Sequence, residues 1–210
     1  MSKAVTAETL MTVGPVIAVL TIARAASAPA LARALIAGGV TALEVTLRTD
    51  EALEAIAEIA REMPHALVGA GTVLTPGDLD RAQWAGARFI VSPGLTEPLA
   101  RAAAESGLPF LPGISNASDL MRGLDLGLDR FKFFPAEAAG GPAMLKALHG
   151  PFGGCRFCPT GGITAENAGA YLSLPNVDCV GGAWVAPTSA IEAENWTRIT
   201  DLAREASALR

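Results

Sequence analysis

The chain has 210 residues, 50% of them apolar, so one domain can bury a substantial core. Its formal net charge is −5 and its lysines and arginines form no basic stripe, which argues against a nucleic-acid partner. No apolar run is long enough to cross a membrane, no signal-peptide pattern opens the chain, and three cysteines do not make a secreted disulfide framework. We therefore expect a cytoplasmic enzyme or binding protein with no membrane partner.

Short β-like segments alternate with helix-like segments along the chain. The sequence predicts a short helix over residues 5–13 and then eight strands, at 16–20, 42–47, 67–72, 89–93, 109–114, 130–135, 156–161 and 179–184. Helix signals lie between the strands. They include N-caps predicted at Thr75 and Thr164 and a last helix predicted over 188–208.

Eight strands that alternate with eight helices predict an α/β fold. We expect a (β/α)8 TIM barrel with a short N-terminal helix, formed by residues 1–210 as a single domain. A doubly wound open sheet is the alternative. It is less favoured because "GAGTVL", residues 69–74, lacks the third glycine of a dinucleotide-binding motif.

Charged residues on two strands are expected to point into this barrel. Side chains alternate along a strand, so Glu44 and Arg48 share one face of "ALEVTLR". Because the outer face of each strand packs beneath helices, this polar face must point inward. In "RFKFFP" the same alternation directs Phe131 and Phe133 outward and Lys132 inward.

A lysine beside a carboxylate suits Schiff-base chemistry on a carbonyl group. Lysine is scarce in the chain, burial disfavours the charged form of an amine, and the neutral amine is the nucleophile. Glu44 would transfer protons, and the planar guanidinium of Arg48 would bind a substrate carboxylate. These residues indicate a lyase that acts on a 2-oxo acid. The alternative is a structural ion pair between Glu44 and Lys132 with Arg48 at the rim.

Two glycine pairs near the last strands indicate a phosphate site. Barrels often bind phosphate in the loops after strands seven and eight, through backbone N–H groups. Those loops contain Gly161 and Gly162 in "TGGIT", and Gly181 and Gly182 in "GGAW". The alternative is that these glycines serve only tight turns.

A metal or redox site is not expected. The chain has two histidines, and the CxxC spacing of Cys155 and Cys158 enters a predicted strand without a second cysteine pair.

The chain resembles a known family, the class I 2-dehydro-3-deoxy-6-phosphogluconate (KDPG) aldolases. The resemblance runs from about residue 14 to residue 205 and rests on the stretches "EVTLRT", "VGAGTVL", "SPGLTEPL", "PFLPGI", "FKFFPAE", "RFCPTGGI" and "GGAWVAP". It implies cleavage of KDPG to pyruvate and glyceraldehyde 3-phosphate in the Entner–Doudoroff pathway. It also implies a homotrimer of (β/α)8 subunits, no external cofactor, and secondary activity on 4-hydroxy-2-oxoglutarate (KHG).

The resemblance also assigns roles to individual residues. Lys132 would form the Schiff base and Glu44 would be the general acid and base. The substrate-binding residues would be Arg48 and Thr72 at the pyruvyl carboxylate, Pro93 and Phe134 along the pocket, and Thr160 where stereochemical choice at C4 is influenced.

One position departs from the family. Ala183 stands where family members commonly have a serine or threonine that contacts the phosphate. A lost hydrogen bond to a charged group costs about 1.5–3 kcal/mol, so we expect a weaker hold on phosphate at Ala183. Three alternatives remain open: an aldolase for the galactonate-derived epimer, an aldolase for unphosphorylated 2-oxo acids, and a catalytically silent phosphosugar-binding barrel.

Overall fold

The computed structural model describes residues 5–209, in which nine strands alternate with ten α-helices. The strands are β1 (Val16–Leu20), β2 (Ala42–Thr46), β3 (Leu67–Gly71), β4 (Ile90–Val91), β5 (Phe110–Leu111), β6 (Gly113–Ile114), β7 (Arg130–Phe133), β8 (Arg156–Pro159) and β9 (Val180–Gly182). The helices are α1 (Ala7–Thr12), α2 (Ala28–Ala37), α3 (Ala52–Glu62), α4 (Pro76–Trp84), α5 (Glu97–Ser106), α6 (Ala117–Asp125), α7 (Gly141–His149), α8 (Ala168–Leu172), α9 (Thr188–Glu192) and α10 (Trp196–Ser207). No helix within the described part of the chain has the length and apolar character to span a membrane.

The strands form two parallel sheets, so the prediction of a closed (β/α)8 barrel is wrong. The larger sheet has the order β5-β4-β3-β2-β1-β9, and the smaller has the order β6-β7-β8. The predicted fifth strand is divided at Pro112, which has no N–H to donate to a ladder, so β5 joins one sheet and β6 the other. At the other junction, an isolated bridge between Thr160 and Gly181 links the end of β8 to β9.

Two apolar clusters lie on opposite faces of the strands. The outer cluster packs beneath the helices and includes Phe131 and Phe133, which confirms the predicted alternation along β7. Both sheets contribute to the inner cluster, through residues such as Val91 of β4 and Cys158 of β8. Leu10 of α1 also belongs to the inner cluster, so the short N-terminal helix packs against the interior.

Helix boundaries confirm one predicted cap and correct two other predictions. Thr75 caps α4 in a capping box with Asp78, as predicted. Thr164 does not occupy the cap position of α8, because that helix begins at Ala168 with Asn167 as its N-cap. The last predicted helix is two helices, since Glu194 adopts a left-handed conformation with φ of 51° between α9 and α10.

Candidate active site

A buried ion pair joins the two sheets. The Nζ atom of Lys132, on β7, donates to Oε1 of Glu44, on β2, over 3.0 Å. The side chains of Lys132 and Glu44 are 6% and 4% exposed. The ring of Phe134 also faces the amine, with its centroid 5.3 Å from Nζ. Two charges out of water are costly unless paired, so each partner fixes where the other must lie.

A glycine on the neighbouring strand makes room for the Glu44 carboxylate. A β-carbon at residue 71 would lie 2.1 Å from Oε1 and 2.6 Å from Cγ of Glu44. No real side chain fits at such distances, so Gly71 is required where Glu44 points inward. This role was not predicted from the sequence, although a glycine one strand away from an inward carboxylate is the signal that would have revealed it.

Arg48 and Thr72 lie together at the end of β3 nearest the ion pair. Nε of Arg48 donates to Oγ1 of Thr72 over 3.1 Å, and Thr72 directly follows Gly71. Thr72 has a φ of 58°, which is rare for a β-branched residue. This conformation aims the Thr72 hydroxyl at the exposed Arg48 and leaves the guanidinium in reach of an incoming anion.

Pro93 reaches the site through its backbone. A β-carbon on Gly113 would lie 2.2 Å from the carbonyl oxygen of Pro93, so this glycine admits the loop that follows β4. Gly113 is paired in register with Lys132. The structure therefore places Pro93 one strand away from the lysine.

The two predicted phosphate-binding glycine pairs have different surroundings. Gly161 and Gly162 follow β8 with φ of 98° and 78°, and they form a turn that only glycine adopts easily. Gly181 and Gly182 are buried in β9, under the Thr160 side chain and under the ring of Trp184 respectively. Only the first pair forms a turn at the surface.

The remaining predicted residues are Phe134, Thr160 and Ala183. Phe134 packs at Gly161, where an added β-carbon would lie 3.3 Å from its ring. Thr160 is buried beside Gly181, and Ala183 is exposed just beyond β9. Contacts therefore connect Lys132 to the glycine turn through Phe134, whereas Arg48 is connected to Glu44 through the consecutive residues Thr72 and Gly71.

Glu137 and Tyr171 form a contact that sequence reasoning missed. The Tyr171 hydroxyl on α8 donates to Oε1 of Glu137, in the loop that follows β7. Burial raises the pKa of Tyr171, and the hydrogen bond to Glu137 and its charge raise that pKa further. Glu137 lies within the quoted "FKFFPAE" stretch, but nothing in the local pattern indicates a tyrosine partner 34 residues away.

The CxxC cysteines lie in different surroundings. Cys155 belongs to the outer cluster and Cys158 to the inner cluster. Burial raises the pKa of Cys155, with a smaller contribution from Asp129, which favours the unreactive thiol. Within residues 5–209, no group of three or more His, Cys, Asp or Glu side chains is arranged to hold a metal ion.

Comparisons with known proteins give one consistent result. A family model described as KDPG and KHG aldolase matches residues 7–202. The KHG/KDPG aldolase of Escherichia coli strain K12 is 55% identical over 200 residues, which cover 95% of this chain and 94% of that protein.

Solved structures agree over almost the whole chain. KDPG aldolase from Legionella pneumophila, with pyruvate captured at low pH as a covalent carbinolamine intermediate, has a TM-score of 0.95 and 48% identity, and the match covers 97% of this chain and 99% of that chain. The Zymomonas mobilis ZM4 aldolase for 2-keto-3-deoxy-6-phosphogluconate, solved with 3-phosphoglycerate, has a TM-score of 0.92 and 52% identity, and the match covers 97% of this chain and 96% of that chain.

Proposed function

The chain belongs to the KDPG and KHG aldolase family, and we propose that it is a class I aldolase that cleaves KDPG to pyruvate and D-glyceraldehyde 3-phosphate. The same site cleaves KHG to pyruvate and glyoxylate. The buried contact between Lys132 and Glu44 carries the proposal, because it places a nucleophilic amine beside a proton acceptor. The covalent carbinolamine in the Legionella relative supports the same chemistry here.

The reaction begins when the Lys132 ammonium gives a proton to Glu44 and becomes a neutral amine. This amine attacks the C2 carbonyl of the substrate and forms a carbinolamine. Glu44 returns the proton to the departing hydroxyl, water leaves, and an iminium ion remains on Lys132. The 3.0 Å separation of Nζ and Oε1 allows the transfer from Lys132 to Glu44 to occur directly.

Carbon–carbon cleavage uses the iminium ion as the electron acceptor. Glu44 removes the proton of the C4 hydroxyl, the C3–C4 bond breaks, and the aldehyde leaves. The bonding electrons form an enamine on Lys132, which takes a proton at C3 and is hydrolysed to pyruvate and the free amine. No external cofactor or metal ion enters this scheme, since the iminium accepts the electrons.

Substrate binding is shared between the two ends of the site. Arg48 and Thr72 bind the pyruvyl carboxylate, to which the arginine offers a planar pair of donors. Pro93 and Phe134 line the pocket, and Thr160 contacts the part of the substrate that bears C4. The backbone of the surface turn at Gly161 and Gly162 binds the phosphate. Gly181 and Gly182 are buried in β9, so they would contribute only from the end of that strand, and Ala183 offers no hydroxyl.

Borohydride trapping tests the proposal. The protein is incubated with pyruvate and sodium borohydride, digested, and its peptides are analysed by mass spectrometry. We expect a reduced pyruvyl adduct on Lys132 and none on Lys146, which lies on α7 and serves as an internal control. Lys132→Arg keeps the positive charge beside Glu44 but cannot form the iminium, so it should lose both the adduct and KDPG cleavage.

A folded protein that forms no adduct would contradict the mechanism. If Lys132→Arg also bound KDPG normally, a phosphosugar-binding protein with a structural ion pair would be the better description. Relative kcat/KM for KDPG and for its galactonate-derived epimer decides which stereoisomer is the substrate.

The resemblance also supports proposals about the protein as a whole. We propose a cytoplasmic homotrimer in which each chain is a single aldolase domain of the Entner–Doudoroff pathway. Light scattering after size-exclusion chromatography measures the assembly. Unchanged kcat after dialysis against a chelator is the result expected of a metal-independent enzyme.

A further inference from the structure

We propose that Glu137 and Tyr171 are positioning residues for the phosphate-binding turn, and that they set the preference for phosphorylated over unphosphorylated substrates. This inference rests on the proposed function, because it concerns the phosphate end of the same site. Neither residue needs to touch the reacting carbons. The inference depends on three features of the loops that follow β7 and β8.

The backbone of the loop after β7 holds Glu137 beside the turn. Ala136 donates its N–H to the carbonyl of Thr160 over 2.8 Å, and Glu137 donates to the carbonyl of Gly161 over 3.1 Å. These bonds continue the pairing of β7 with β8 beyond the ends of both strands. Glu137 therefore cannot move without moving the glycine turn.

The aliphatic stem and the carboxylate of Glu137 make separate contacts. A β-carbon on Gly162 would lie 2.6 Å from Cγ and 2.8 Å from Cβ of Glu137, so the aliphatic stem packs directly on Gly162. The carboxylate instead accepts from the hydroxyl of Tyr171 on α8. This contact lies beside Gly141 at the start of α7, where an added β-carbon would be 3.4 Å from the hydroxyl and 3.8 Å from Oε1, and where the helix dipole favours negative charge.

The N-cap of α8, Asn167, contacts the glycine turn directly and lies four residues before Tyr171. The side-chain amide of Asn167 donates to the carbonyl of Gly162 over 2.9 Å, and its oxygen accepts from the N–H of Thr164 over 2.8 Å. Asn167 and Tyr171 are four residues apart and lie on one face of the helix. The same face of α8 thus supports the turn directly and through Glu137.

The negative charge of Glu137 explains why its contact with Tyr171 would affect phosphate binding. A carboxylate within a side chain's length of a phosphate-binding turn would repel the phosphate dianion if it were free to rotate. The Tyr171 hydroxyl and the start of α7 at Gly141 hold that carboxylate in place. Loss of the hydroxyl frees the carboxylate, although the rest of the site is unchanged.

Kinetics with two substrates test the inference. KHG has the same reacting carbons as KDPG but no phosphate, so it reports on the chemistry alone. For Tyr171→Phe we expect KM for KDPG to rise about three- to tenfold, as loss of one hydrogen bond of ordinary strength would produce. The kcat for KDPG and both constants for KHG should stay near their wild-type values.

The double variant Tyr171→Phe/Glu137→Gln separates charge from packing. Glutamine keeps the stem over Gly162 and removes the negative charge, so KM for KDPG should return toward the wild-type value. Tyr171→Phe/Glu105→Gln is the matched control, because it also removes one negative charge, at an exposed position on α5. Its KM for KDPG should stay as high as that of Tyr171→Phe alone.

The inference would be overturned if Tyr171→Phe raised KM equally for KDPG and KHG, or if Tyr171→Phe/Glu137→Gln did not lower KM for KDPG again. The contact between Glu137 and Tyr171 would then be purely structural. The trapping of pyruvate on Lys132 in Tyr171→Phe is measured alongside. If the wild-type protein cleaves neither substrate, the proposed function fails. If it cleaves both and the selectivity of Tyr171→Phe is unchanged, only the positioning role fails.

Discussion

Glu44 can approach Lys132 because residue 71, on the neighbouring strand, has no side chain. The carboxylate oxygen occupies the space that a β-carbon would fill, at 2.1 Å. Contacts shorter than 3 Å cannot be absorbed without displacing one group. The reactivity proposed for Lys132 therefore depends on a residue that has no chemistry of its own.

Gly71→Ala is expected to displace the Glu44 carboxylate and lower kcat for KDPG cleavage by about 10²- to 10⁴-fold, the usual contribution of a general acid or base. Steady-state kinetics on the folded variant measure the loss. Gly14→Ala is the control, since an added β-carbon there meets nothing within 4 Å. A Gly71→Ala protein with wild-type kcat would remove Glu44 from the mechanism.

At the scale of elements, α4 anchors the loop that carries Thr72. Asp78, in the first turn of α4, accepts through Oδ2 from the N–H groups of Leu74 and Thr75, each over 3.0 Å. Thr75 in turn accepts from the N–H of Asp78 over 3.1 Å. The cap thus fixes where α4 begins, and it also holds the chain that follows the left-handed Thr72.

Thr75→Ala is expected to lower the free energy of unfolding by about 1 kcal/mol, the typical value for loss of an N-cap. Urea denaturation measures it as a lower midpoint with an unchanged slope. Thr197→Ala, at an exposed position on α10, removes a threonine that is not a cap and should leave the midpoint nearly unchanged. Equal midpoints for Thr75→Ala and the wild-type protein would show that the cap contributes nothing.

At the scale of the whole molecule, the ionisation of Tyr171 is linked to the free energy of unfolding. It is the only tyrosine of the chain, so tyrosinate absorbance measures one residue. Its pKa is raised in the folded protein by burial and by Glu137, whereas an unfolded tyrosine ionises near pH 10. We expect little tyrosinate in the folded protein at pH 10. In Glu137→Gln the tyrosine should ionise at a lower pH than in the wild-type protein.

The sign of the stability effect follows from proton binding. Above about pH 10 the unfolded chain loses the Tyr171 proton first, so the folded state binds more protons and its stability falls as pH rises. Below that pH the contribution is fully present. Tyr171→Phe should show a shallower loss of stability over the alkaline range, and an ordinary tyrosine titration in the folded wild-type protein would contradict this account.

The sequence by itself determined the alternation of strands and helices, the inward direction of Glu44 and Lys132, and the family. Each follows from local rules, namely the two-residue period of a strand, the turn signals between strands, and stretches of matching residues. The closed barrel was predicted from strand count and was wrong, because the count does not reveal where hydrogen bonding stops. Pro112 lacks an N–H, and the sheet divides there.

Only the tertiary structure decided which distant residues meet. Gly71 beneath Glu44, Gly113 beneath Pro93, and Tyr171 against Glu137 are contacts between separate elements. A periodic pattern shows which face a side chain occupies, but not which atom of another element lies opposite. That choice depends on how two sheets and their helices pack at close to crystalline density, where a single β-carbon decides whether two groups can meet.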